Sequence, residues 1–177
     1  GEELARKTIF LTACMGWVEN IKPTSSNLLA ESPSGIGKDH VTSSTLDILP
    51  KEKVIKRTRI SPTALTYWKP TKNWEGYILY LEDVSNNVLN SEVMKVMMSG
   101  GSYATIVVNQ VAKDIKIDGK PIIILTTARS TPNQENLRRL NICFFTDNQD
   151  QTKGIVNRKL ENAEVGIIEE YDSSITL

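Results

Sequence analysis

A glycine-containing segment near the start of the chain carries residue types that bind phosphate. Residues 31–39 read Glu-Ser-Pro-Ser-Gly-Ile-Gly-Lys-Asp and lie between a short apolar run, 26–30, and a predicted helix, 38–49. Glycines allow a loop whose backbone N–H groups point at an anion, and a lysine at the next helix start reaches the β- and γ-phosphates of a nucleotide. A plain structural turn explains the same residues without a ligand. The position between a strand and a helix favours phosphate binding.

This segment matches the usual phosphate-loop pattern only in part. Gly37 and Lys38 stand at the usual places, but Ser32 stands where the first glycine is expected. Asp39 replaces the Ser or Thr hydroxyl that normally binds magnesium, and a carboxylate there binds the metal directly but also repels the β-phosphate. His40, the only histidine, either contacts the α-phosphate or packs at the helix start. We therefore predict phosphate binding with an altered metal ligand.

Two acids follow a later apolar run. Residues 77–81 are Tyr-Ile-Leu-Tyr-Leu, and Glu82 and Asp83 come directly after them. A magnesium–nucleotide site needs such a pair at a strand end, because one acid holds the metal through its water shell and the other orients the attacking water. Without the glycine segment, two solvated acids at a strand end would be the favoured interpretation. Together the two segments predict magnesium–nucleotide chemistry.

Two further polar pairs follow in the second half of the chain. Thr126 and Thr127 end the most apolar strand, 121–125, where their hydroxyls could touch an attacking water or a γ-phosphate. Because Thr is common at strand ends, this pair carries little weight alone. Arg138 and Arg139 lie on a short predicted helix. Such a pair is usually a solvated face, and in a ring ATPase it serves as an arginine finger.

An alternation of strands and helices must position these side chains. Five apolar runs lack the alternation of half-buried strands, which is typical of an α/β domain with a mostly parallel sheet. Segments 103–108 and 111–117 predict a hairpin around residues 109–110, and Ser61-Pro62 predicts a capped helix start. The predicted strands are 26–30, 54–58, 77–81, 121–125 and 142–145, and the predicted helices are 2–19, 38–49, 62–68, 91–98, 132–139 and 151–163.

Composition excludes several classes of protein. The chain has 177 residues, and its 21 Lys and Arg against 21 Asp and Glu give no support to a basic DNA-coating protein. One histidine and two cysteines exclude most zinc sites and any disulfide framework. No apolar run reaches the ~18 residues that span a bilayer, so we expect a cytoplasmic protein without a membrane partner. The length suits one domain, and the start at Gly1 suggests a piece of a longer protein.

The order of these segments resembles the P-loop ATPases of the AAA+ type. It is most similar to the ATPase domains of primase-helicase-like proteins of archaeal and bacterial plasmids, viruses and mobile elements. The resemblance runs from Asn27 to Gln151 and rests on segments 32–38, 79–83, 92–117, 122–127 and 135–140. It implies a P-loop NTPase three-layer sandwich with a five-stranded sheet and a hairpin before sensor 1. The implied divisions are a lead-in, 1–26, an ATPase core, 27–146, and a C-terminal helix and tail, 147–177.

The resemblance implies that the protein hydrolyses ATP with Mg²⁺ in a ring of identical subunits, usually a hexamer. It also implies that hydrolysis is coupled to movement along DNA. In that family Lys38 would bind the β- and γ-phosphates, Glu82 would be the metal-associated acid and Asp83 the catalytic acid. Asp39 would join Glu82 at the metal. The residues expected to bind nucleotide are Ser34, Gly35, Ile36, Gly37, Lys38, Asp39 and His40.

The resemblance also assigns roles outside the loop and the acids. Thr127, or alternatively Thr126, matches sensor 1, and Arg139 matches the arginine finger, with Arg138 as the second choice. The predicted hairpin lines the central channel in that family. There two lysines are candidate contacts for DNA phosphates, although a solvated hairpin edge explains them equally simply. These lysines are Lys113 and Lys116.

Departures from the family pattern keep two rival functions open. Asp39 and the Glu82-Asp83 order, where Asp-Glu is commoner, put the rate of hydrolysis in question. The chain also leaves little length for a helical lid. One rival is a nucleotide-binding assembly module with weak or no hydrolysis, and the other is a degenerate P-loop serving as a structural or DNA-binding domain. A basic patch, residues 56–59, has no assigned role. Four aromatic residues are expected to pack in a core or interface rather than stack on bases: Trp17, Tyr67, Trp68 and Trp74.

Overall fold

The computed structural model describes residues 2–18, 27–33, 35, 37–68, 71, 73–100, 102–108, 111–145 and 157. Residues 2–145 belong to one compact unit, and a second unit, which contains residues 146–177, includes only Asn157 among the described residues. In chain order the elements are α1 (Glu3–Cys14), β1 (Asn27–Glu31), α2 (Lys38–Leu46), β2 (Val54–Arg57), α3 (Pro62–Tyr67), β3 (Ile78–Leu81), α4 (Asn86–Leu89), α5 (Glu92–Ser99), β4 (Ser102–Val108), β5 (Val111–Ile117), β6 (Ile122–Thr127), α6 (Gln134–Leu137) and β7 (Leu140–Phe144).

A five-stranded parallel sheet in the order β2-β3-β6-β1-β7 organises the described part of the chain. Every residue of β3 and β6 is buried, as are the first four residues of β1. The edge strands β2 and β7 are partly exposed. Strands covered on both faces carry continuous apolar runs, which explains why the sequence pattern identified them. The predicted α/β fold with a mostly parallel five-stranded sheet is confirmed.

Helices cover the sheet on both faces and complete three layers. Along β3, Ile78 and Tyr80 pack in one apolar cluster with residues of α1 and α2. Leu79 and Leu81 point the other way and pack with residues of α3, α4 and α5. This alternation follows from the two-residue period of a strand. Tyr80 and the next residue on the same side of the strand therefore point towards α2, the helix that begins at Lys38.

The predicted hairpin is confirmed as β4 and β5, an antiparallel pair in which Ser102 lies opposite Ile117 and Val108 opposite Val111. Its turn, residues 109–110, lies outside the described residues. The hairpin forms a sheet of its own and directly precedes β6.

Several helix boundaries differ from the sequence prediction. The helix expected over 38–49 ends at Leu46, and Leu49 N–H then bonds the Leu46 carbonyl at 3.0 Å in a tighter turn. The residue before a proline avoids helical geometry, so Pro50 ends the helix earlier than its own position. The predicted cap is confirmed, since the Ser61 hydroxyl accepts from Ala64 N–H at 3.0 Å. The short α4 was not predicted, and the predicted helix 151–163 lies outside the described residues apart from Asn157.

No helix within the described ranges is both long and apolar enough to cross a bilayer. The longest, α1, has 12 residues and carries a buried stripe at Ala5, Ile9 and Ala13. Each of these positions is four residues from the next, as expected for a helix that covers one face of a sheet.

Candidate functional site

The carboxyl ends of β1, β3 and β6 meet at one edge of the sheet and join three segments that are distant in sequence. Ser32 N–H donates to the Thr127 carbonyl at 3.4 Å, which ties the glycine segment to the end of β6. Asp83 N–H donates to Thr126 Oγ1 at 3.0 Å, and Val84 N–H donates to the Thr126 carbonyl at 2.9 Å. Strand β6 lies between the other two, so its threonines connect the loop to the acids.

The loop before α2 has a backbone that requires glycine at two positions. Gly35 and Gly37 have φ of +92° and +86°, in the left-handed region where a side chain is strained. A Cβ on either residue would meet no atom within 4 Å, so backbone conformation rather than crowding demands glycine there. Ser34 and Ile36 lie outside the described residues. Gly37 is the N-cap of α2, which places the loop at the positive end of the helix dipole.

Lys38 opens α2 with its side chain buried. The residue is 4% exposed, and its Nζ lies 3.4 Å from Asp39 Oδ2. A buried ammonium is stable only when anions surround it, and one carboxylate at this distance is a weak partner. A phosphate at the helix start would bring a second anion to the Lys38 ammonium.

Asp39 has one carboxylate oxygen towards Lys38, and the other, Oδ1, is buried without a hydrogen-bond partner among the described residues. A buried carboxylate oxygen left in this way is destabilising unless a cation or a donor binds it. The described residues contain no group of three or more His, Cys, Asp or Glu side chains that could hold a metal. Mg²⁺ normally binds one or two carboxylates together with water and nucleotide phosphates. Asp39 therefore fits a magnesium ion bound with a nucleotide, and no protein-only metal centre is present in those residues.

Two contacts tie Glu82 to β2 and to the residue that follows it. Its Oε1 lies 2.9 Å from Lys56 Nζ, and its Oε2 accepts from Thr58 Oγ1 at 3.2 Å. Lys56 Nζ also donates to Ser43 Oγ on α2 at 2.6 Å and lies 5.5 Å from the centroid of the Tyr80 ring. The sequence placed Lys56 in a basic patch without a role. Its partnership with Glu82 depends on the register that sets Lys56 opposite Tyr80, which no local pattern reveals.

Asp83 adopts a strained backbone immediately after β3. Its φ is +42°, and no other non-glycine residue in the described ranges has a positive φ. Such a conformation persists only when the surroundings enforce it, and here the bond from Asp83 N–H to Thr126 Oγ1 does so. The side chain is exposed at the sheet edge. Strained residues cluster at functional sites, which makes this acid a candidate for chemistry.

The two threonines of β6 have different partners. Thr126 is fully buried and holds Asp83. Thr127 Oγ1 instead accepts from Arg129 N–H at 3.3 Å and from Ser130 N–H at 2.8 Å, so it shapes the turn that follows the strand. The alternative sensor residue, Thr126, is therefore the one that the structure brings to the acids.

Tyr80 is a buried phenol between these groups and was not singled out from the sequence. Its hydroxyl lies 3.5 Å from the Asp39 carbonyl, to which it donates. Burial, followed by the negative charges of Glu82 and Asp39, raises the pKa of Tyr80 far above its ordinary value. The phenol stays neutral at every physiological pH and acts as a fixed hydrogen-bond donor.

The remaining candidates lie elsewhere, except His40, which lies in the first turn of α2. Arg139 precedes β7 at the amino edge of the sheet, where it donates to Ser99 Oγ at 2.8 Å and to the Glu135 carbonyl, with the Glu135 carboxylate 3.7 Å away. Arg138 is exposed, as is His40. Both hairpin lysines lie on β5, and Lys116, also exposed, pairs with Asp118. The side chain of Lys113 lies outside the described part.

Comparison with known proteins agrees with this architecture. A family model described as the MTBMA_p00010 P-loop domain matches residues 6–176. Among solved structures, the chain is similar to the JCV helicase, crystallised with a bound acetamide compound, with a TM-score of 0.57 and 14% sequence identity. The match covers 90% of this chain and 46% of the helicase chain, so this chain spans less than half the length of that protein. At this identity the likeness shows the fold alone. No curated protein matches the chain.

The strained backbone of Asp83 yields a stability prediction. Glycine adopts a positive φ without strain, so Asp83→Gly should leave the free energy of unfolding in urea unchanged or higher. Asp83→Val should lower it by about 1–2 kcal/mol, because a β-branched side chain is disfavoured in the left-handed region. At exposed Asp47, whose φ is −65°, the same two substitutions should not favour glycine. Equal losses for both Asp83 variants would contradict a strained backbone at this residue.

Proposed function

The chain belongs to the MTBMA_p00010 P-loop domain family, and from this membership we propose that it binds and hydrolyses ATP with Mg²⁺ as the motor of a DNA helicase or primase-helicase. The observation that carries the proposal is the buried ammonium of Lys38 beside a carboxylate oxygen of Asp39 that has no hydrogen-bond partner among the described residues. Lys38 Nζ, 3.4 Å from its carboxylate partner, can bind a closer anion, and Asp39 Oδ1 can bind a cation. A magnesium nucleotide supplies them together.

Phosphate binding follows from the local backbone. The first turn of α2, which Gly37 caps, presents N–H groups without intrahelical partners, and the helix dipole favours negative charge at the same place. Lys38 adds a full positive charge that reaches the β- and γ-phosphates. Asp39 Oδ1 is the carboxylate oxygen available to the metal, and Glu82 acts through the water around it. The bound metal would neutralise phosphate charge.

Hydrolysis is assigned to the edge formed by β3 and β6. Asp83 orients a water in line with the γ-phosphorus, and Thr126 holds Asp83 in its strained turn. The water oxygen forms a bond to the γ-phosphorus while the bond to the bridging oxygen breaks, and ADP leaves with the electron pair. The proton of the water passes to Asp83 or to the released phosphate.

In a ring, the arginines that reach a neighbouring subunit would lie at the edge of the sheet opposite the nucleotide site. The two arginines after α6 lie at the amino ends of β1 and β7, so they face away from the nucleotide of their own subunit. Arg139 must leave Ser99 and Glu135 to reach a neighbour, whereas Arg138 is exposed. An arginine acting between subunits is worth about 10³–10⁵ in rate, so an isolated subunit should turn over slowly.

A second function, nucleotide-controlled assembly with weak hydrolysis, is favoured by one specific observation. Glu82 is already neutralised by Lys56 at 2.9 Å, and Lys38 is paired with Asp39, so the site balances its own charge. Binding a metal then requires that the Lys56–Glu82 pair loosen. The release of phosphate from ATP, measured with and without single-stranded DNA, distinguishes a motor from an assembly module.

Removing Lys38 tests nucleotide binding directly. Lys38→Ala should weaken Mg-ATP binding, measured by titration calorimetry, by about 10- to 100-fold, the loss expected for a charge-assisted contact. Phosphate release should fall with it. Lys51→Ala, a change of the same type at an exposed lysine, is the matched control and should bind like wild type. If titration of wild-type protein with Mg-ATP neither releases nor absorbs heat, both nucleotide functions would be refuted.

Removing Lys56 tests the charge balance of the site. Lys56→Met keeps the apolar stem over Tyr80 but frees Glu82, so nucleotide binding should reach its midpoint at a several-fold lower Mg²⁺ concentration. The midpoint is measured with a fluorescent ATP analogue, without reference to turnover. Lys53→Met, whose ammonium lies 4.7 Å from the Tyr77 ring, is the control and should leave the midpoint unchanged. An unchanged or higher midpoint for Lys56→Met would mean that the lysine does not compete with the metal.

A further inference from the structure

An open groove lies beyond the end of β2, outside the residues assigned to the nucleotide. Its volume is about 660 Å³, and its lining combines two arginines, Arg57 and Arg59, with the apolar or aromatic side chains of Ile60, Tyr67 and Trp68. Both arginines are exposed. The described residues that line the groove include no carboxylate. The groove is therefore a positively charged surface with aromatic walls.

The aromatic walls are held in place by packing. Trp68 meets the buried Trp74 edge to face, with ring centroids 5.9 Å apart, and the Arg57 guanidinium lies 4.6 Å from the Trp68 ring. Tyr67, by contrast, is 49% exposed. The sequence interpretation that these aromatic residues pack in a core or interface accounts for Trp74 and for the partly buried Trp68. It does not account for an exposed tyrosine beside two arginines.

The groove continues into a smaller cavity that reaches the acids. This cavity, of about 260 Å³, is lined by Glu82 and Asp83 and shares Arg57, Arg59 and Ile60 with the groove. The Arg57 carbonyl also accepts from Glu82 N–H at 3.0 Å. A ligand in the groove would thus lie next to the residue assigned to orient the attacking water.

We propose that this groove binds single-stranded nucleic acid, with phosphates on Arg57 and Arg59 and a base stacked on Tyr67. Single strands repeat an anion and a flat apolar base, and grooves that bind them combine positive charge with aromatic platforms. The groove offers both within one continuous surface, and the carboxylates of Glu82 and Asp83 lie in the adjoining cavity rather than in the lining of the groove itself. The link to hydrolysis through Asp83 rests on the proposed function, whereas the binding itself does not.

The test measures the anisotropy of fluorescein-labelled oligothymidylate at several salt concentrations. Tyr67→Ala should weaken binding by about 5- to 150-fold, the range for losing one stacked base. Arg59→Ala should reduce the slope of log affinity against log salt by about 0.7, as expected for one lost phosphate contact. Phe10→Ala and Lys51→Ala, exposed residues on α1 and before β2, are the matched controls and should bind like wild type.

Two companion measurements make the outcome decisive. Calorimetry with Mg-ATP should give wild-type affinity for Arg59→Ala and Tyr67→Ala, so that loss of oligothymidylate binding is separate from the nucleotide site. Sedimentation shows whether the variants change oligomeric state. The proposal is overturned if wild type does not bind oligothymidylate, if both variants bind it like wild type, or if they instead dissociate an oligomer, which would assign the groove to a second copy. Failure of Mg-ATP binding in wild type would refute the proposed function alone.

Discussion

The position of β6 between β1 and β3 is the constraint on which the site depends. Because β6 comes last in the chain but lies in the middle of the three strands, its two terminal threonines touch both the loop and the acids. The Thr127 carbonyl anchors Ser32, and the Thr126 hydroxyl fixes the strained turn at Asp83. Burial of all six β6 residues keeps this arrangement rigid. A parallel sheet thereby converts three separate sequence motifs into one surface.

Charge balance is the second property of that surface. Lys38 with Asp39 and Lys56 with Glu82 form two ion pairs at the same edge, with separations of 3.4 and 2.9 Å. Neither pair leaves a full charge unopposed, which limits the cost of burying Lys38. A triphosphate adds negative charge, and a divalent cation offsets it. Binding and metal uptake are therefore expected to be coupled, and the strength of the Lys56–Glu82 pair sets how easily the metal enters.

Sequence patterns identified the strands and helix starts that depend on neighbouring residues, and they missed the contacts that depend on how the strands pair. Continuous apolar runs gave the central strands, and Ser61 with Pro62 gave a helix start, because burial and capping act over a few residues. The motif order also placed the loop and the acids correctly at strand ends. The choice of Thr126 over Thr127 at the acids, and the bond from Lys56 to Glu82, follow from strand register. Register is a property of the assembled sheet, so no single segment encodes it. All assignments of functional residues stay predictions, and those of Ser34 and Ile36 fall outside the described residues.

We propose that the edge formed by β1, β6 and β3 holds a magnesium nucleotide. A crystal structure of the chain with Mg²⁺ and a non-hydrolysable ATP analogue tests it most directly. We expect the phosphates to lie at the start of α2 against Lys38 and the metal to lie on Asp39 Oδ1. We also expect the distance from Lys56 Nζ to Glu82 Oε1 to be longer than the present 2.9 Å. Phosphates bound away from Lys38, or a metal that leaves Asp39 Oδ1 without a partner, would contradict it.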